Sequence, residues 1–301
     1  MAARWLFFNN LQSLGVSDMH TTGYLAIIAL LFLLSGCSVT KALRVEDRTM
    51  VDIATMVDGV SGVPVVFIGE QHDSAADHKL QLEVLKGLEA KGKLIAIGME
   101  MFESTSQRAV HNWVAGEISK DDFIRVYQWN WRNIPYRLYE DIFDFARENH
   151  IQIIALNAPR SIVEKVSQHG YSSLTDDDKR YLPPDADAAV SDADLDFFRS
   201  SYGAHSENSE HFRHICEAQI LRNRVMASRI RWFHKLEPGK IVVVLAGAAH
   251  VRGIGGIPDE LGAIPFKIIL PPLPGASDTS ISTKDADYLL EEPFSIFSHL
   301  P

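Results

Sequence analysis

Continuous apolar runs, rather than alternating ones, organise this chain. They are Val63-Pro64-Val65-Val66-Phe67-Ile68, Leu94-Ile95-Ala96-Ile97-Gly98, Ile151-Gln152-Ile153-Ile154-Ala155-Leu156, Ile241-Val242-Val243-Val244-Leu245 and Phe266-Lys267-Ile268-Ile269-Leu270. Short β-branched runs of this kind read as strands buried on both faces, as in the parallel sheet of an α/β domain. Helical periodicity lies between them. Leu80, Val84, Leu85 and Leu88 predict a helix over 74–91, with Asp73 or Ser74 as its N-cap. Residues 104–149 read as helical, with stripes through Phe123, Val126 and Tyr127 and through Tyr139, Ile142, Phe143 and Ala146. A long helix is predicted over 208–236, striped by Phe212, Ile215, Gln219, Met226 and Ile230. Cys216 falls on its apolar face and reads as a buried, inert thiol. The fold class expected is α/β, a mainly parallel sheet flanked by helices, with a helical, aromatic-rich lobe. The strand at 266–270 is expected to close the sheet, leaving 273–301 as an irregular tail.

Polar groups collect where these runs end. Glu70 and His72 follow the first, Glu100 and Glu103 the second, Asn157 and Arg160 the third, and His250 the fourth. Polar residues after strands are ordinary, because loops are wet. Here, however, the spacing Gly-x-x-His occurs twice, as Gly69-Glu70-Gln71-His72 and Gly247-Ala248-Ala249-His250. Open α/β sheets bind ligands at the carboxyl ends of their strands. His72, Glu100, Asn157 and His250 are therefore expected along one sheet edge, the two histidines facing a common crevice. The turn Gly253-Ile254-Gly255-Gly256-Ile257-Pro258 lets backbone approach that edge closely. No P-loop lysine or dinucleotide fingerprint accompanies it.

Other polar clusters carry less. His205, His211 and His214 gather at the start of the long helix, and the last two share a face that could touch a metal or ligand. Asp176-Asp177-Asp178 lies in an acidic stretch, 170–206, without the alternation and glycine of a calcium loop; it reads as a solvated insertion. Trp129-Asn130-Trp131-Arg132-Asn133-Ile134-Pro135-Tyr136 is unusually aromatic for a connection. It reads either as a satellite core beneath the helices or as an aromatic wall for a flat apolar ligand.

Composition narrows the function. A formal charge of −10 with no basic run argues against nucleic acid, which needs a basic face. The apolar segment Tyr24–Leu34 is too short for an ordinary spanning helix but has the length of a signal-peptide core. It ends in Leu34-Ser35-Gly36-Cys37, which resembles a bacterial lipobox. Residues 1–36 are thus expected to be a signal peptide, with Met19 the natural start. Cys37 is then the lipidated residue, 37–47 a tether and 48–272 the α/β domain. Ser38 after the cysteine favours the outer membrane over the inner, by analogy with enterobacterial sorting. That places the chain in the cell envelope, facing the periplasm. With Cys37 lipidated, Cys216 has no partner for a disulfide.

Several segments together carry a resemblance. Gly69-Glu70-Gln71-His72-Asp73, Glu100-Met101-Phe102, Ala155-Leu156-Asn157-Ala158-Pro159-Arg160, Ala218-Gln219 with Met226-Ala227, and Ala246-Gly247-Ala248-Ala249-His250-Val251 are similar to the ChaN family of haem-binding lipoproteins. That family lies in the Tiki, TraB and erythromycin-esterase-like superfamily, and the similarity spans residues 48–272. It implies a haem-handling protein of iron uptake whose iron is held by tyrosine. Two departures stand out: many relatives have Gly-Asn-Gly-His at 247–250 and an aspartate in place of Asn223.

No motif places the tyrosine, so chemistry suggests Tyr136 or Tyr139 in the aromatic segment. A tyrosinate suits ferric haem, and Arg132 or Arg137 would help a hydroxyl lose its proton from a reference near 10. Arg160, His72 and His250 could donate to the haem propionates. The alternative is a metal-dependent hydrolase of the Tiki type, in which His72, Glu100 and His250 hold a divalent ion and Glu70 is the general base. A planar ligand on an open face invites cover from a second subunit, so a homodimer is expected.

Overall fold

A computed structural model describes residues 41–202, 210–272 and 281–290. Eight strands form one sheet: β1 Lys41–Arg44, β2 Thr49–Asp52, β3 Val65–Glu70, β4 Ile95–Glu103, β5 Ile153–Asn157, β6 Ile241–Gly247, β7 Phe266–Leu270 and β8 Tyr288–Leu290. Their order is β2-β1-β8-β7-β3-β6-β4-β5. All pairs from β8 across to β5 are parallel, and β1 runs antiparallel to both β8 and β2. The mainly parallel α/β sheet expected from the apolar runs is present, and all five runs are strands.

Two expectations at the chain's margins are corrected. Part of the supposed tether, Lys41–Arg44, is a strand of the sheet. The supposed irregular tail contains Tyr288–Leu290, which continues the sheet beyond β7. Such segments are too short to show a period, and only pairing between distant residues, such as Ala42 with Leu290, makes them strands.

Alternation within the buried strands feeds two cores, as a period of 2 requires. Val66, Ile68, Ile97, Met99, Val243 and Leu245 face one layer. Val65, Phe67, Ala96, Val242, Val244 and Ala246 face the other, where the helix Glu210–Leu236 lies across them through Met226, Ile230 and Phe233. The first layer is covered by helices Ala75–Ala90, Gln107–Val114, Lys120–Asn130 and Glu140–Glu148. Most of the aromatic concentration is core. Trp113, Phe123, Tyr127, Tyr139 and Phe143 are fully buried there, with Trp113 stacked on Phe123 at 4.4 Å between ring centres.

The β5 edge is closed by side chains. Gln107 donates to Ile153 O (2.8 Å) and accepts from Ala155 N (3.0 Å), filling the ladder position a further strand would take. For the site, the decisive placement is that of β6, which inserts between β3 and β4 with Glu70 opposite Gly247 and Met99 opposite Leu245. Both Gly-x-x-His segments thus leave adjacent strands at the same edge.

Candidate functional site

The two histidines end up in different local structure. After β3 the chain turns through Gln71 and His72 into the helix Ala75–Ala90, capped by Ser74, whose hydroxyl accepts from Asp77 N. His78 on that helix donates from Nε2 to His72 O (3.0 Å) and pins the turn. The second segment instead enters a single helical turn, Ala248–Val251, directly from β6. His72 keeps a third of its side chain exposed, while His250 is buried.

Each histidine has a buried carboxylate. His72 Nδ1 lies 2.7 Å from Glu70 Oε1, and Glu70 also accepts from Gln81 Nε2 (2.7 Å) and from the Tyr139 hydroxyl. His250 Nε2 lies 3.5 Å from Glu100 Oε1. Glu100 accepts from Gly247 N (2.7 Å) and from the Arg222 guanidinium, which also reaches Asn157 Oδ1. Asn157 in turn donates to Glu100 O (3.0 Å). Gly247 separates the pairs: a Cβ there would come within 2.9 Å of His72 Cε1 and 3.6 Å of Glu100 Oε2, so only glycine lets them close up.

These surroundings set the charges. Burial pushes the His250 imidazole down to about 4, against the pull of Glu100. Burial opposes the charge on Glu100, but the positive charge of His250 and Arg222 and the Gly247 N–H outweigh it and hold the carboxyl at about 2. With His250 neutral above its lowered value, Arg222 is the cation that faces Glu100 near neutral pH. Burial also opposes charge on His72; there the hydrogen bond to Glu70 and the nearby Glu100 prevail, and its pKa is raised.

Above this floor opens a crevice in two contiguous parts. The larger, about 600 Å³, is lined by His72, Trp131, Arg132, Asn157, Arg160 and Arg222, with Glu103 and Glu164 on its rim. The smaller, about 360 Å³, holds Glu70, His72, Glu100, Gly247 and His250. The Trp131 ring meets His72 edge-on at 5.1 Å, and its buried Nε1 has no hydrogen-bond partner. From the aromatic connection, then, Trp131 serves as wall.

The expected edge is real: β3, β6, β4 and β5 deliver His72, His250, Glu100 and Asn157 to one crevice. The ligand assignments fare differently. Tyr139 is fully buried, with its hydroxyl on Glu70. Burial and the Glu70 charge push its pKa up, the reverse of what a tyrosinate ligand needs. Tyr136 packs between Tyr127 and Phe143, its hydroxyl buried without a partner and its pKa likewise raised by burial. Neither lines the crevice. Arg132 stands over Trp129 (5.4 Å), not beside either hydroxyl.

The metal set His72, Glu100 and His250 is gathered, yet Arg222 already occupies Glu100 Oε1. Among the described residues no three His, Cys, Asp or Glu are arranged to hold a metal ion. His250 is largely buried at the floor of the smaller part, with Nδ1 on Asn223 Oδ1 and Nε2 3.5 Å from Glu100 Oε1. Arg160 does line the crevice, donating to Trp129 O (3.1 Å) and Asn130 O. Of the histidines at the long helix, His211 is exposed and His214 packs beside Gly170, whose Cβ would meet it at 2.8 Å; His205 lies outside the described residues. Cys216 is buried, its thiol pushed up to about 11, as an inert role requires.

Sequence reasoning missed Arg222, His78 and Gln81. Their signal was available: His78 and Gln81 share the buried face of Leu85 and Leu88, and Arg222 lies one turn after Gln219. Polar residues on an apolar stripe have a buried partner to satisfy.

A parallel α/β sheet with a polar-floored, aromatic-walled crevice at its carboxyl edge defines a ligand-binding α/β protein of the open-sheet class. The chain belongs to the haem-binding uptake family of the Tiki superfamily, ChaN, which it matches over residues 56–261. In fold it is similar to ChaN of Campylobacter jejuni, described with cofacial haem binding, with a TM-score of 0.66 at 17% identity over 84% of this chain and 97% of that one. An erythromycin esterase, EreC, aligns with a TM-score of 0.47 at 12% identity over 84% of this chain and 82% of that one. The Arabidopsis thaliana protein RETICULATA-RELATED 5, chloroplastic, is 21% identical over 143 residues, 46% of this chain and 19% of that protein.

Proposed function

We propose that this protein binds haem in the crevice at the carboxyl edge of the sheet, and that it serves haem or iron uptake as a lipid-anchored protein of the bacterial envelope. The observation that carries the reading is the chemistry of the crevice. An open imidazole, an aromatic wall and arginines at the rim meet in one space, in a member of a haem-binding family. Arg132 and Arg160 form no ion pair with a described acidic residue, so their remaining N–H groups suit ligand carboxylates. Trp131 suits a flat apolar face. The haem itself would supply an iron centre; the chain supplies the surface that orients it. A second copy of the chain would cover the open side of a planar ligand held there. The hydrolase reading is weaker, because Arg222 takes the carboxylate oxygen a divalent ion would need.

Optical titration of the full chain with haemin tests the reading. A saturable shift of the Soret band is expected, weakened about 10-fold or more by Arg160→Ala, roughly 1.4 kcal/mol. Spectra that remain those of free haemin would overturn it.

A further inference from the structure

We infer that the carboxyl edge of the sheet is the face this protein applies to a phospholipid surface, with Trp129 seated at the lipid interface, so that the crevice opens toward the membrane. The inference rests on the reading that Cys37 carries lipid, and adds to it which way the domain stands. β1 carries the argument. It runs antiparallel to β8, so it begins where the parallel strands end. Ala42 pairs with Leu290, two residues past Tyr288, and Tyr288 is level with Ile269, Ile68 and Leu245 across the sheet. Glu70 and Gly247 also stand two residues past that level, so the chain enters the sheet at the height of the crevice floor.

Only Ser38-Val39-Thr40 separates Cys37 from Lys41. Extended chain covers about 3.5 Å per residue, so a lipid on Cys37 holds Lys41 within about 14 Å of the bilayer. The far edge is out of that reach. Leu94, just before β4, is level with Lys240, just before β6, and from there to the crevice floor the sheet is about 23 Å deep. Leu94, Trp232 and Leu236 are exposed apolar residues at that end. Laying them on the bilayer would lift Lys41 further than the tether allows.

A second, independent feature stands at the mouth of the crevice. Trp129 is 65% exposed, with Arg132 over its ring at 5.4 Å. Arg160, which follows β5, donates to Trp129 O (3.1 Å), and Asn130 Oδ1 accepts from Glu103 N at the end of β4 (2.9 Å). These bonds hold the segment at the carboxyl edge. An indole has an apolar body and a wet end, which suits the headgroup level of a bilayer, and a guanidinium beside it suits lipid phosphates. Glu103 and Glu164 share the rim, so the contact depends on the indole and the tether rather than on net charge. Trp131 and Arg132 line the crevice, so a surface held at Trp129 lies against its mouth. A flat apolar ligand then passes between lipid and crevice without crossing open water.

The test uses the full lipidated chain in phosphatidylcholine vesicles that carry a nitroxide at the headgroup. Cys216 is buried and Cys37 is blocked by lipid, so a fluorescent thiol label goes to one introduced cysteine. Asn133→Cys, at the crevice mouth, should lose most of its fluorescence. Leu94→Cys at the far edge and Met50→Cys on β2 should be quenched less. Adding Trp129→Ser to the Asn133→Cys protein should restore part of the lost signal. A chain that floats with the vesicles while Leu94→Cys is quenched as strongly as Asn133→Cys would overturn the orientation. Equal quenching of Met50→Cys would overturn it too, by laying the domain on its β2 flank. No effect of Trp129→Ser would overturn the seat of that ring at the interface. A chain that does not float with the vesicles would remove the lipid reading and this inference together, leaving haem binding untouched.

Discussion

His250 and Glu100 share one buried pocket, and both are displaced from their ordinary titration ranges in a way that acid exploits. An unfolded chain protonates His250 near 6.5, whereas the folded chain does so only near 4. Between those values the unfolded state binds more protons, so stability falls as pH falls, by up to about 3 kcal/mol over the whole window. Glu100 extends the loss, from its ordinary 4.5 down through about 2. His72 works the other way. Its raised pKa gives a contribution that is full below 6.5 and lost as pH rises through the folded value. The urea midpoint should therefore drop between pH 7 and pH 4.5. In His250→Gln that drop should flatten, because a glutamine takes up no proton, although the variant starts from a lower midpoint. An equal drop in both proteins would place the acid sensitivity elsewhere.

At the scale of elements, the short strand Tyr288–Leu290 has the largest consequence for its size. It pairs in parallel with β7 and antiparallel with β1, so the β1–β2 pair joins the sheet through it. All three of its side chains are buried. Burying such residues contributes about 1.5–3 kcal/mol each, so a chain ending after Pro272 should lose about 5 kcal/mol or more of unfolding free energy, read from urea denaturation. A truncated chain with the full-length midpoint would show β8 to be dispensable. The opposite edge has no such dependence on another strand, since Gln107 and Arg229 satisfy the outward groups of Ile153 and Ala155.

For the whole molecule, the open question is attachment. Among the described residues no helix is long and apolar enough to cross a membrane. The proposed attachment therefore depends on lipid at Cys37, which lies outside the described residues. Cys37→Ala should leave an unprocessed precursor and move the protein from the detergent phase to the aqueous phase on Triton partition. Wild-type protein found wholly in the aqueous phase would refute the anchor. Among the described residues, the strands from Lys41–Arg44 to Tyr288–Leu290 form the sheet, with a core on each of its faces.

By itself the sequence determined the buried strands, the helices between them and the edge at which polar groups would gather. These are local properties: a period of 2 or 3.6 and a run of apolar residues report burial wherever they occur. It also determined the family, through short segments whose order survives any rearrangement of side chains. Only the tertiary structure decided that β6 lies between β3 and β4, which makes Glu70–His72 and Glu100–His250 neighbouring pairs across Gly247. Only it decided that Tyr139 is a core residue hydrogen-bonded to Glu70, that Arg222 pairs with Glu100, and that two identical spacings leave one imidazole a third exposed and the other buried. The physical reason is the same in each case. Which partner a polar side chain finds depends on contacts between residues such as Glu70 and Tyr139, or Glu100 and Arg222, that are distant along the chain. Desolvation and charge then act on the assembled group, with nothing in the neighbouring sequence to announce them.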